Sequence, residues 1–258
     1  MNVSQSNLNN SVLKAFDLLE HFHPDKPAWG VRELAQHIGA NKSTIYRLLA
    51  TLEHIGVLQQ HPETEKYSLG LKLFELGHRV GIQSALVNKT HDILEEVTKE
   101  ITENVHLGIL QSNEVLVVDK VDSPKGLKLN FQLGSRSPLH CTSMGKTLLA
   151  FAEKQEEIIE ELDLFSKTPY SLTQKMGLIA ALNQIRKDGF ALDREEYELG
   201  LICLGVPVFN QNGKAIAALS ASGPANRFRE EALKDYVAIL QKGASAIQQK
   251  IGNFQIKF

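Results

Sequence analysis

The chain has 258 residues, 43% of them hydrophobic and 22% charged, which allows one large domain or two modest ones with real cores. Its 28 Lys and Arg against 30 Asp and Glu give a net charge of −2, excluding a polybasic nucleic-acid coat, and two cysteines exclude a disulfide scaffold and fit a reducing compartment. No apolar run approaches the roughly 20 residues of a membrane span, and MNVSQSNLNNSV lacks the basic and apolar regions of a signal peptide, so a cytoplasmic protein with no membrane partner is expected.

Val12, Leu13, Phe16, Leu18, Leu19 and Phe22 recur at helical spacing until Pro24 and Pro27 break the pattern. Val31, Leu34, Ala35 and Ile38 predict a second short helix closed by Gly39. A third follows, capped by Ser43 or Asn41, with Ile45, Leu48, Leu49 and Leu52 inward and Gly56 at its end. VLQQHPETEKYSL reads as two strands joined around Pro62–Thr64. Residues 71–101 carry two apolar stripes, Leu71 to Leu76 and Leu86 to Ile101, read as connecting helices, the first between domains. Beyond them the pattern predicts strands near 105–111, 114–121 and 127–133, a helix opening at Thr142, helices near 153–162 and 177–188, and a strand FAL ending just before Asp193. CLGVPVFN and KAIAALSAS then flank a turn at Asn212-Gly213, and a final helix runs from about Phe228 to Ile251.

Global charge does not separate the halves, because residues 1–85 hold eight basic and eight acidic side chains. Local charge does: from Leu34 to Leu52 the only charged residues are Lys42 and Arg47. Two short helices around the turn GANK form a helix-turn-helix pattern, whose second helix enters the major groove. That leaves Asn41, Lys42, Ser43, Thr44, Tyr46 and Arg47 near the exposed helix start. Lys, Ser, Thr and N-terminal amides hold phosphates, whereas Arg and Asn can bond base edges. The following hairpin would be a wing, with Lys66 reaching a neighbouring phosphate. A helical bundle with a solvated face is the alternative. The acid-free stretch and the hairpin favour DNA.

In the second half, PLHCTSMGKTLL reads as an extended proline followed by a helix capped by Thr142 or Ser143. The unpaired N–H groups of such a start make an anion site, unless the helix is plainly capped. Ser220 and Ser222, two apart in LSAS, face one side of their strand, either to recognise hydroxyl or carboxylate groups or as solvated serines on an edge. Asp193 could accept from a sugar hydroxyl or serve as a turn or cap carboxylate. MGKT imitates the end of a phosphate-binding loop, but His140 stands where its first glycine belongs. Cys141 at a helix start could be a nucleophile, yet adjacent His140 would project elsewhere. Cys141, Cys203, His140 and Asp193 have metal donors but no CxxC or HxxxH spacing, so neither metal nor cofactor is expected.

SVLKAFDLLEHF, RELAQHIGANKSTIYRLLATLEHIGVLQQ and EKYSLGLKLFELG resemble the N-terminal half of IclR-type transcriptional regulators, and PLHCTSMGKTLLAF, EEYELGLICLGVPVFN and AALSASGP resemble that family's effector domain. The resemblance spans about residues 8–252; EKYSLGLKLFELG and YVAILQKGASAI bring it nearest to the family's repressors of pectin and 2-keto-3-deoxygluconate catabolism. It implies an α+β chain: a winged helix-turn-helix at 1–70, a linker helix at 71–85 and a GAF-like α/β effector-binding domain at 86–258. It implies a non-enzymatic repressor that binds a pseudo-palindromic double-stranded operator as a homodimer or dimer of dimers, paired through the DNA-binding half. The positions matching the family's effector pocket are Ser143, Met144, Asp193, Leu201, Cys203, Ser220 and Ser222. Family members that bind small oxoacids often have Gly-Ala where this chain has Ser143-Met144, a departure that reshapes the pocket floor. The implied effector is a small anionic metabolite such as 2-keto-3-deoxygluconate or a related sugar acid. The competing class is an enzyme or metabolite-binding protein whose helix-turn-helix serves only dimerisation.

Overall fold

Asn9 opens the first helix by accepting the N–H groups of Ser11 and Val12 on its side-chain oxygen. Helix α1 (Asn10–Leu19) follows, the first element of a computed structural model that describes residues 8–80, 86–125 and 131–252. The chain divides into two compact units, 1–81 and 82–258.

In the first unit α2 (Val31–Ile38) ends on Gly39 in the left-handed conformation at φ 70°, where glycine carries no steric penalty. The chain reverses there into α3 (Lys42–His54). Strands β2 (Leu58–Gln60) and β3 (Tyr67–Leu69) form the predicted hairpin, and β1 (Ala28–Trp29) adds to it in the order β1-β3-β2. β1 is too short to show any sequence period. Leu18, Phe22, Trp29, Leu34, Ile45, Leu49, Leu52, Leu58 and Tyr67 form the core, giving the winged helix-turn-helix the sequence leads one to expect. Helix α4 (Leu71–His78) lies in this unit; Leu73 packs against the core, while Leu71 and Phe74 stay exposed.

The second unit runs α5 (Asn88–Ile101), β4 (Asn104–Gln111), β5 (Glu114–Val121), β6 (Arg136–Pro138), α6 (Ser143–Ala150), α7 (Gln155–Glu161), α8 (Lys175–Asp188), β7 (Ala191–Arg194), β8 (Leu201–Phe209), β9 (Ala215–Pro224) and α9 (Glu230–Ile251). Among the described residues its strands form one antiparallel sheet ordered β6-β5-β4-β9-β8-β7. Leu107, Ile109, Leu204, Val206 and Leu219 pack with Ile93, Leu94 and Val97 of α5 and Leu240 and Ile247 of α9. A separate cluster joins Val115, Val117 and Ala218 to Met144 and Leu148 of α6 and Leu178 and Leu182 of α8. Helix α6 approaches the sheet so closely that a Cβ on Gly205 would lie 2.9 Å from the Ser143 carbonyl oxygen.

Three expectations change. Asp193 lies inside β7, not after the strand, because β7 extends to Arg194 by pairing with Ile202. Of the strand predicted near 127–133, residues 127–130 lie outside the described residues and Phe131–Leu133 are not strand; the sheet instead takes β6, paired to β5 at Glu114–Leu116. Ser220 and Ser222 sit on β9, between β4 and β8, so the solvated edge reading does not hold.

Candidate functional site

Helix α3 is set by its cap and its core face. The Asn41 side-chain oxygen accepts the Ser43 N–H at 2.9 Å and the Ser43 hydroxyl at 2.8 Å. Ile45, Leu49 and Leu52 turn inward, which leaves Lys42, Ser43, Thr44, Tyr46 and Arg47 exposed. Asn41 therefore spends its acceptor on the helix start and keeps only its amide protons for DNA. The first turn of α3 carries no acid, so the helix dipole favours a phosphate there. Arg32 is exposed and lines a cleft with Lys42, Tyr46, Gln60 and Thr64, which Glu33, Glu53 and Glu65 also line. Lys66 on the wing is exposed but lies 3.6 Å from Glu33, which also binds Lys26. Lys26, then the Gly30 N–H and more weakly Lys66, hold the Glu33 carboxyl below its usual range.

Register across the second sheet assembles the other candidate site. Asp193 stands opposite Cys203, Cys203 opposite Ser222, and Ser222 opposite Asn104, a row across β7, β8, β9 and β4. The neighbouring row places Gly205, Ser220 and His106 side by side. Residues opposite one another, or two apart on a strand, share a face, so Asp193, Cys203, Ser220, Ser222 and His106 look the same way. The start of α6 closes over them: the Ser143 and Ser220 hydroxyls are 3.1 Å apart, and both residues are buried. Phe131 packs with Leu201 and Cys203, its ring 5.5 Å from His106 and 5.3 Å from Tyr197. Six of the seven expected pocket positions thus gather around one buried polar surface. Met144 also turns toward the sheet, its sulfur within 2.9 Å of where a Cβ on Gly108 would lie.

Thr142 is the cap of α6, donating its hydroxyl to the Pro138 carbonyl at 2.7 Å and accepting the Gly145 N–H at 3.0 Å. The N–H groups of Ser143 and Met144 are the remaining first-turn donors. Lys146, the lysine of MGKT, is buried and bound to Glu196 and, at 2.6 Å, to the Leu192 carbonyl. It closes the fold here instead of waiting for a phosphate.

Burial sets the electrostatics. Burial, then the Glu196 carboxylate, pushes Asp193 up to about 7. Its Oδ1 accepts the Glu196 N–H at 2.7 Å, so half of the carboxylate serves the turn. Its Oδ2 has no partner, and neither does Nδ1 of His106, which burial and Lys120 hold down at about 4 and therefore neutral. Burial pushes Cys141 up to about 12 and Cys203 well above the usual thiol range, so neither is an activated nucleophile. No cluster of three His, Cys, Asp or Glu side chains suited to a metal occurs among the described residues.

The IclR helix-turn-helix domain matches residues 11–62, and the bacterial transcriptional regulator IclR C-terminal domain matches residues 80–249. The chain is 38% identical to the HTH-type transcriptional regulator KdgR of Escherichia coli (strain K12) over 252 residues, 96% of this chain and 95% of that protein. Its fold matches the crystal structure of the Thermotoga maritima IclR with a TM-score of 0.75 at 32% identity, covering 94% of this chain and 99% of that one. An IclR homolog from Microbacterium hydrocarbonoxydans, crystallised with 4-hydroxybenzoate, matches with a TM-score of 0.83 at 25% identity, again covering 94% and 99%.

Proposed function

The chain belongs to the IclR family of bacterial transcriptional regulators, and from that premise we propose that it represses genes of sugar-acid catabolism in the cytoplasm until a small acid metabolite releases it. The matched families and relatives are DNA-binding regulators, not enzymes. The observation that carries the effector reading is the buried hydroxyl surface of Ser143, Ser220 and Ser222, flanked by an unpartnered Asp193 oxygen and the first-turn amides of α6. Hydroxyls and a carboxyl suit a polyhydroxy chain; amides at a helix start suit its carboxylate. The resemblance of EKYSLGLKLFELG and YVAILQKGASAI to repressors of 2-keto-3-deoxygluconate catabolism points the same way, to that acid or a related hexonate.

Calorimetric titration with 2-keto-3-deoxygluconate, other hexonates, pyruvate and 4-hydroxybenzoate tests this. Ser222→Ala should weaken the sugar acid by roughly 0.5–1.5 kcal/mol, the value of one neutral hydrogen bond. Phe131 and Tyr197 favour a second reading, an aromatic acid held under their rings, as the 4-hydroxybenzoate complex of the relative allows. Tight binding of 4-hydroxybenzoate with hexonates silent and Ser222→Ala unaffected would select it.

On the DNA side, α3 reads a pseudo-palindromic operator through Arg47 and Tyr46, while Lys42, Ser43, Thr44 and Lys66 hold phosphates. Binding by a dimer, or a dimer of dimers, brings two such helices to the two half-sites, and the effector shifts the population of that arrangement. Arg47→Ala should cost roughly 1–3 kcal/mol of operator affinity, concentrated at one base position, with the melting temperature unchanged. Lys66→Ala should weaken all sequences alike, and by less, because Glu33 already neutralises part of its charge. Gel shifts against a set of singly mutated operators separate the two. An Arg47→Ala protein with wild-type affinity for every operator would remove α3 from the major groove.

A further inference from the structure

The charges around the polar surface do not balance for an anionic ligand. Lys146 is the buried ammonium beside Asp193, and it is already committed to Glu196 and to the Leu192 carbonyl. An ionised Asp193 therefore leaves one uncompensated negative charge in a buried site, next to a Glu196 oxygen that also has no partner. A ligand carboxylate arriving there would meet like charge where little water screens it. At the other end of the surface, on the row of Ser220, His106 is buried and brings no positive charge.

Resting on the effector reading above, we infer that an acid effector enters this site together with one proton, taken from solvent onto Oδ2 of Asp193. The proton turns a repelling acceptor into a donor that bonds the ligand's carboxylate or a hydroxyl oxygen. Neutral His106, through Nδ1, supplies a second uncharged contact across the two serines. Burial and the Glu196 carboxylate oppose an ionised Asp193 most strongly, while the Glu196 and Tyr197 N–H groups and the Lys146 ammonium favour it. Glu196 and Tyr197 follow it in the turn, Cys203 neighbours it on β8, and Cys141 and Lys146 come from the α6 segment. Only Lys146 among them favours the ionised carboxylate by charge, and it is shared with Glu196. Lys120 and Asp122 act on His106 with opposite signs. With Asp193 titrating at about 7, the free protein carries this proton in slightly acid solution and must acquire it in alkaline solution.

The linkage fixes the sign. Affinity for the acid should be flat below neutrality and fall about tenfold per pH unit above it, because each bound ligand then takes up one proton. Calorimetry with 2-keto-3-deoxygluconate and with 4-hydroxybenzoate at about pH 8, in phosphate and in Tris, reads this directly. The wild-type enthalpies should differ between the buffers by the ionisation heat of about one proton. Asp193→Asn keeps a donor at that position at every pH, so the buffer difference should vanish and the affinity should stop falling with pH. A ligand-free measurement guards against a misfolded variant. The wild-type melting temperature should drop relative to Asp193→Asn as pH rises from about 5 to about 8, since ionising a buried carboxylate opposes folding. Wild-type binding without buffer dependence, or parallel melting profiles of the two proteins, would overturn the proton coupling and leave the effector site standing. A protein that binds none of the acids at any pH would remove the effector reading itself.

Discussion

Arg227→Ala should destabilise the second unit by roughly 3–5 kcal/mol, the cost of stranding a buried charge without its partner. The Glu103 side chain is fully buried, and Arg227 donates to both of its oxygens, from Nε at 2.5 Å and from a terminal nitrogen at 2.6 Å. Strand β9 makes room for this fork: a Cβ on Gly223 would lie 2.6 Å from Glu103 Oε2. Lys125, 3.8 Å from the carboxylate and half exposed, does not replace a bidentate guanidinium. Arg227→Lys should fall between wild type and alanine, because an ammonium keeps the charge and loses the fork. Adding Glu103→Gln to Arg227→Ala should recover part of the loss, since an unpaired amide costs less to bury than an unpaired carboxylate. Calorimetric melting of the four proteins tests this. An Arg227→Ala protein within about 1 kcal/mol of wild type, with no gain from the second substitution, would mean that Glu103 is not paid for by Arg227.

That pair joins residues 124 apart in the chain, and no local pattern announces it. The elements that were legible are those whose signal is local. Helices α1 to α3 follow from apolar spacing closed by Gly39, and β4, β5, β8 and β9 from short apolar runs ended by turn residues. The wing was legible because Pro62 to Thr64 break two strand-like stretches. β1 and β6 were not, because two or three residues carry no period and only their partners β3 and β5 make them strands. The end of β7 is missed for the same reason: only the pairing with β8 extends the strand past Leu192 to include Asp193. The serines of β9 were recognised as a same-face pair, but their burial depends on the order of the sheet, which spacing does not encode. His106 carries no signal of its own, since VHLGIL reads as plain strand; its meaning comes from standing beside Ser220. Lys146 sits in a local likeness to a phosphate loop, whereas its partner Glu196 lies 50 residues away.

Phe74→Glu should abolish dimers at micromolar concentration and weaken operator binding by at least about a hundredfold, if α1 and α4 form the seam between copies. The first unit buries a complete core and still leaves large apolar side chains in water. Phe16 is 63% exposed, Leu71 77% and Phe74 73%, with Val12 and Leu13 beside Phe16 on α1. These residues make the apolar face that the helical spacing predicted, yet only Leu18 of α1 is buried within the unit. A two-fold interface uses each residue twice, so removing one phenylalanine and adding a charge acts at both copies. Each fully buried phenylalanine is worth roughly 1.5–3 kcal/mol, giving about 3–6 kcal/mol per dimer before the desolvation of the carboxylate. A monomer presents one α3 to one half-site and forfeits the contacts of the other, so dimer loss carries over into operator affinity. Met176 supplies the control: at 85% exposed on α8 it is as open to solvent as Phe74 but lies in the other unit, and Met176→Glu should change neither assembly nor DNA binding. Light scattering over a dilution series, with gel shifts on an intact and a half operator, reads both effects. A Phe74→Glu protein that stays dimeric and holds the intact operator as wild type does would place the seam elsewhere, and the exposed faces of α1 and α4 would then need another partner.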